Sequence, residues 1–222
     1  MAFYFRLTMQ SPQNKTEKTY LAILTLVAWF ALIFQFYLQF NSGVAAKPEL
    51  LVRFFSYFTI DSNLLVAICS TSILCFPKTG LGNFFSKPSV KTALTVYITV
   101  VALVYNTVLR FLWVLEGWAM VLNELLHVVV PLMFLVYWIF FVPKYELKWK
   151  NIWGWLIYPL VYTVFVMVRG SFVEFYPYPF LNVNKLGVAK VLFNCIAITL
   201  LFALLSAIFI AIGKRSARQL KA

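Results

Sequence analysis

Apolar residues in this chain gather into six nearly continuous runs: Tyr20 to Phe40, Phe54 to Phe76, Thr92 to Trp113, Val121 to Val142, Ile152 to Val168 and Val191 to Ile212. About 20 such residues in a helix cross roughly 30 Å of hydrocarbon. Inside lipid a helix also satisfies its own backbone, which an open strand does not. Each run therefore predicts a spanning helix, with Pro77 and Pro143 stopping the second and the fourth. The breaks between runs are short, and no internal repeat stands out. The expected architecture is all-α: one polytopic membrane domain over residues 1–222, built as a six-transmembrane-helix bundle.

Composition agrees. Hydrophobic residues make up 63% of the chain and charged residues 12%, where soluble domains carry about 25% charge. A solvated globular surface, a disordered chain and a disulfide-stapled secreted domain are all excluded. Cys69, Cys75 and Cys195 lie inside the runs with no CxxC pair and no histidines clustered near them. They read as packing residues, and no metal or organic cofactor is expected. Val44-Ala45-Ala46 resembles a signal-peptidase site, but the apolar run before it exceeds the roughly 7–15 residues of a signal peptide. Asn14-Lys15-Thr16 matches a glycosylation sequon, yet on the side assigned below it reads as chance.

A net charge of +12 suggests nucleic acid as a partner until its distribution is examined. With six spans both termini share one side. That side holds Arg6, Lys15, Lys18, Lys78, Lys87, Lys91, Lys144, Lys148, Lys150, Lys214, Arg215, Arg218 and Lys221, thirteen cations against Glu17 and Glu146, for a net +11. Elsewhere six cations face five acids, for +1. Lys and Arg are retained on the cytoplasmic side of a membrane. Both termini are therefore expected in the cytoplasm, and the charge is an orientation signal with no nucleic acid implied. Nothing in the pattern specifies an oligomeric state.

Ionisable residues at membrane depth are costly and mark function, and here they converge. The second span carries Ser56, Thr59, Asp61 and Asn63 where it enters from the outside; the third leaves with Asn106 and Arg110. The fourth enters with Asn123, Glu124 and His127, and the fifth ends at Arg169, followed by Glu174. Four spans thus place polar groups at one depth near the outer leaflet. Thr59 and Asn63 share a helix face, as do Asn106 and Arg110, and Glu124 and His127 can share one. Asp61 lies about 200° round from Thr59 and is expected to point toward Arg110 or Arg53. Ser70, Thr71 and Ser72 read as helix-packing residues that bond backbone carbonyls.

His127 is the sole histidine. A lone histidine is often a satisfied core residue, but one beside a carboxylate at membrane depth is a candidate base. Thr59 alone reads as a residue bonded to the carbonyl four back; a neighbouring base makes it a candidate nucleophile. There is no G-x-S-x-G elbow, P-loop or H-E-x-x-H.

Three segments, Phe58-Thr59-Ile60-Asp61-Ser62-Asn63-Leu64, Asn123-Glu124-Leu125-Leu126-His127-Val128-Val129-Val130-Pro131 and Tyr178-Pro179-Phe180-Leu181, resemble in this order one family. It is the androgen-induced, FAR-type family of six-span membrane proteins, most closely its bacterial branch, the Pr6Pr membrane proteins. Its animal members are threonine hydrolases of fatty acid esters of hydroxy fatty acids. The resemblance implies that Thr59 matches the essential threonine and His127 the essential histidine. Asp61 lies two residues after Thr59, where the animal proteins carry an acid three residues after, so no role transfers to it.

The expected function is an intramembrane lipid-ester hydrolase whose partners are the bilayer and a membrane lipid or fatty-acyl ester substrate. His127 takes the proton of Thr59 Oγ, and Arg110 or Asn63 donates to the oxyanion. Glu124 either orients His127 or pairs with Arg110. Arg169 holds a substrate carboxylate or snorkels to the interface. The Tyr176-Pro177-Tyr178-Pro179-Phe180 loop either caps the cavity or forms an aromatic belt. The alternatives are a proton-coupled small-solute transporter or binding protein and a non-catalytic membrane scaffold; the scaffold requires Thr59 and His127 to stand apart. A transporter is expected to show glycine-interrupted spans, whereas the eight glycines lie mostly at span ends.

Overall fold

The computed structural model describes residues 14–112 and 114–219. Arg6, Trp113 and Lys221 lie outside these residues, as does the side chain of Arg218. The helices, in order, are α1 (Lys15–Phe40), α2 (Lys47–Phe54), α3 (Phe58–Cys75), α4 (Gly80–Ser86), α5 (Pro88–Leu109), α6 (Gly117–Phe141), α7 (Asn151–Val173), α8 (Val183–Leu186) and α9 (Val188–Gln219). Six of them, α1, α3, α5, α6, α7 and α9, are long and apolar enough to cross a membrane. No strand occurs among the described residues. The chain is a multi-pass, all-α membrane protein.

Local chemistry shifts several span ends. α1 starts before its apolar run because Asn14, the sequon asparagine, caps it: Oδ1 accepts the Glu17 N–H at 2.7 Å. Glu17 in turn accepts the Tyr137 hydroxyl at 3.1 Å, tying α1 to α6. The second run is divided, since Phe54 ends α2, Tyr57 is extended and α3 begins at Phe58. α5 opens on Pro88, an N-terminal position that suits proline. That earlier start draws Lys91 out of the loop and into the bundle, 6% exposed, with its ammonium 5.5 Å above the Tyr137 ring. α7 continues beyond Val168 and takes in Arg169; Glu174, left-handed and exposed, stops it.

α1, α3, α5 and α6 pack around one another in chain order, with α6 closing back on α1. α9 lies against α5, and α7 against α9. Ala28, Ala31 and Ala67 are fully buried, as small residues are where membrane helices approach closely. Hydroxyls inside the spans mostly return to their own helix. Thr71, Thr92, Thr95, Thr107, Thr163 and Thr199 each donate to the carbonyl four residues back. Ser70 does the same, as the sequence predicts for this stretch. Pro159 interrupts α7, and because it has no N–H the Trp155 carbonyl loses its helical donor. The Tyr97 hydroxyl of α5 supplies one at 2.7 Å.

Candidate active site

The N-terminus of α3 lies at the end of the bundle opposite Lys15. No side chain of its own caps it: Tyr57 precedes the helix without a capping bond. First-turn N–H groups need partners from elsewhere, and two tyrosines provide them. Tyr162 of α7 accepts the Phe58 N–H at 3.1 Å and donates to the Ser56 carbonyl at 2.8 Å. Tyr178, in the segment after α7, accepts the Thr59 N–H at 3.1 Å. Thr59 is thus fixed by its main chain in the first turn, where the helix dipole favours developing negative charge.

Its side chain departs from the other threonines. Thr59 Oγ1 lies 3.2 Å from His127 Nε2 and 3.3 Å from the Tyr178 hydroxyl. Donor directions follow from partners that have no choice. The Asn123 carbonyl, 2.9 Å from His127 Nδ1, only accepts, so Nδ1 carries the hydrogen, and when the ring is neutral Nε2 presents a lone pair. The Thr59 hydroxyl therefore donates to Nε2. Tyr178, already accepting from the Thr59 N–H, turns its own hydrogen toward Thr59 Oγ1.

His127 reaches this position through an irregular turn. The Val130 N–H bonds the Leu125 carbonyl, five residues back, making Leu125–Val129 a π turn just ahead of Pro131. The Leu126 carbonyl thereby loses its helical donor. Asn63 of α3, fully buried, fills the gap: its Nδ2 donates to the Leu126 carbonyl at 3.0 Å and to the Thr59 carbonyl at 2.8 Å. One amide so clasps the helix of Thr59 to the helix of His127. Both its hydrogens are used, which corrects the expectation that Asn63 donates to an oxyanion.

The remaining expected residues divide. Glu124 turns away from His127 and meets Arg110 at 2.7 Å, so the second of its two expected roles holds. Both side chains are more than a third exposed, so the pair adds little stability. Asn106 supports Arg110 Nε at 3.0 Å. Tyr105 stacks on His127 with centroids 4.1 Å apart, and its hydroxyl accepts from Asn123 Nδ2. Asn123 consequently orients His127 twice, through its carbonyl and through Tyr105.

Two expectations are overturned. Asp61 pairs with neither Arg110 nor Arg53; those cations are taken by Glu124 and by Glu49, 2.8 Å from Arg53 Nε. Arg169 does not snorkel: its side chain is 10% exposed, bonds Glu49 Oε1 at 2.6 Å, and lies over the Phe175 ring with Arg53. Glu49 holds both guanidinium groups, and its carboxyl sits below the usual carboxylate range because of Arg53 first and Arg169 second.

A cavity of about 200 Å³ opens above Thr59 and His127, and its walls include Gln35, Gln39, Arg110, Asn123, Pro177 and Tyr178. Pro177 and Tyr178 belong to the loop expected to cap it. Gly170 lets that loop close down, since a Cβ there would stand 2.1 Å from the Tyr176 ring. Sequence reasoning missed Tyr105, Gln35 and Gln39, and it named Tyr178 only as part of the capping loop, not as a partner of Thr59. The glutamines had a signal, two amides four residues apart in an otherwise apolar run. No group of His, Cys, Asp and Glu able to hold a metal occurs among the described residues. Comparison of the chain with protein-family models, with curated proteins and with solved structures returns no match.

Proposed function

We propose that the protein is an intramembrane hydrolase of fatty-acyl esters, with Thr59 as nucleophile and His127 as base. The observation that carries this reading is the 3.2 Å approach of Thr59 Oγ1 to Nε2 of a histidine whose other nitrogen is held by a carbonyl. A hydroxyl needs a base within hydrogen-bond reach to become a nucleophile. The non-catalytic scaffold required these residues to stand apart.

As Thr59 Oγ attacks the ester carbonyl carbon, its proton passes to His127 Nε2 and the carbonyl oxygen becomes an oxyanion. Tyr178, released from Thr59 Oγ as that oxygen is acylated, donates its hydrogen to the oxyanion. Collapse breaks the bond to the alcohol, which leaves with the proton from Nε2. Water then gives a proton to Nε2 and attacks the acyl-threonine; the acid departs and Thr59 Oγ takes the proton back. The resemblance of the three motifs to the androgen-induced, FAR-type proteins supports the same assignment. The charge asymmetry supports a topology with both termini cytoplasmic and the site near the outer leaflet.

The test uses purified protein in lipid nanodiscs and a long-chain ester of a hydroxy fatty acid. Wild type is expected to release both acids, and Thr59→Ala and His127→Ala each to abolish release. Wild-type turnover in both variants would refute the assignment.

A further inference from the structure

Thr59 and Tyr178 stand on the wall between two cavities. The second, about 60 Å³, lies among α3, α5, α7, α9 and the segment after Tyr178. Its lining is apolar, with Val100, Val101, Phe180, Cys195, Ile198 and Phe202 among its residues. The hydroxyls that reach it are spoken for: Tyr162 bonds Ser56 and Phe58, and Thr163 bonds Pro159 at 2.8 Å. Thr163 of α7 and Cys195 and Ile198 of α9 are partly exposed, so the slot reaches the outside of the helix bundle, the face that lipid covers when such spans cross a membrane. His127, Asn123 and Arg110 line only the polar cavity.

That asymmetry fixes which half of an ester goes where. The departing alcohol takes its proton from His127, and the water of the second step gives one to it, so both occupy the cavity that His127 faces. The acyl half stays attached to Thr59 between these steps and has to leave that cavity clear. We infer that the narrow apolar slot is the acyl subsite, taking the carboxyl-end carbons of one unbranched hydrocarbon chain whose remainder stays in the bilayer, while the polar cavity takes the alcohol half and admits water. This rests on the hydrolase reading and adds the polarity of substrate binding to it.

Two photoreactive probes test it in the Thr59→Ala protein, which holds the ester without forming the acyl-threonine. One hexadecanoyl ester carries a diazirine in its acyl chain and the other in its alcohol half, and labelled residues are read by mass spectrometry. The acyl probe is expected on Val101, Cys195 and Ile198, and the alcohol probe on Gln35, Leu115 and Asn123. Reversed labelling overturns the inference. So does acyl labelling spread over bilayer-facing residues such as Ile157 and Leu200, both at least 60% exposed. In the Thr59 protein, Ile198→Trp should lower the ratio of kcat/KM for long-chain over short-chain esters about tenfold, the discrimination that one or two methylenes carry. Slot labelling without any hydrolysis by the Thr59 protein defeats the hydrolase reading and leaves the subsite standing. Hydrolysis with labelling elsewhere does the opposite.

Discussion

The side-chain amide of Asn63 meets the main-chain carbonyl of Leu126 at 3.0 Å, one residue before the histidine that faces Thr59. The carbonyl is available because the turn around it is wide, and the amide is available because Asn63 sits one helical turn below Thr59. The distance between Thr59 and His127 is therefore set by a bond that involves neither side chain.

Replacing Asn63 by Leu keeps the branched shape, adds some bulk and removes both donors. The Leu126 carbonyl is then buried without a partner, which costs about 1–3 kcal/mol. Thermal unfolding in detergent should shift down accordingly, and ester turnover should fall further than the loss of folded protein accounts for.

Pro131→Ala restores an N–H to α6 and removes the reason for the π turn. Closing that turn to an ordinary one rotates the residues before it by about 100° relative to those after. His127 should move off Thr59, giving loss of activity without loss of thermal stability. An active, equally stable variant would show that the turn does not depend on the proline.

Tyr178→Phe separates two duties. Loss of the oxyanion donor should lower kcat on the order of 10²-fold with little change in KM. Loss of the cap on the Thr59 N–H should lower the melting temperature modestly. A variant that loses stability but keeps kcat would make Tyr178 a cap alone.

The ion cluster at Glu49 predicts a pH dependence. Its folded-state pKa lies below the ordinary 4.5 because Arg53 and Arg169 favour the carboxylate. A depressed folded value stabilises the native state above the unfolded pKa and is lost as pH falls through the folded one. Stability should thus be level from neutral pH down to about 4.5 and decline below it. Glu49→Gln should reduce that decline and lower stability at neutral pH, since Arg169, 10% exposed, keeps no carboxylate.

The six spans were legible because each is a nearly continuous apolar run, and the candidate site followed from where polar residues interrupt those runs. Thr59 and His127 could be named since topology carries both to one end of the bundle and both fall in the segments that resemble one family. Tyr178 could not: its hydroxyl meets a residue 119 positions earlier, and a tyrosine between prolines at a membrane interface has an ordinary explanation as an anchor. Arg169 was opaque for the same reason, with its carboxylate 120 positions away. The direction of Glu124 was left open because the π turn changes which residues of α6 share a face, and that turn has no local signature beyond Pro131.

The first turn of α3 borrows both its caps from chain made much later, Tyr162 and Tyr178. During synthesis the threonine and the histidine are inserted before either cap exists. A chain that has reached only the end of α6 holds both Thr59 and His127 but lacks the hydroxyls that fix the threonine's main chain. On the proposed reading of Thr59 as a nucleophile, its main chain is therefore held in place only once the segment after α7 has been made.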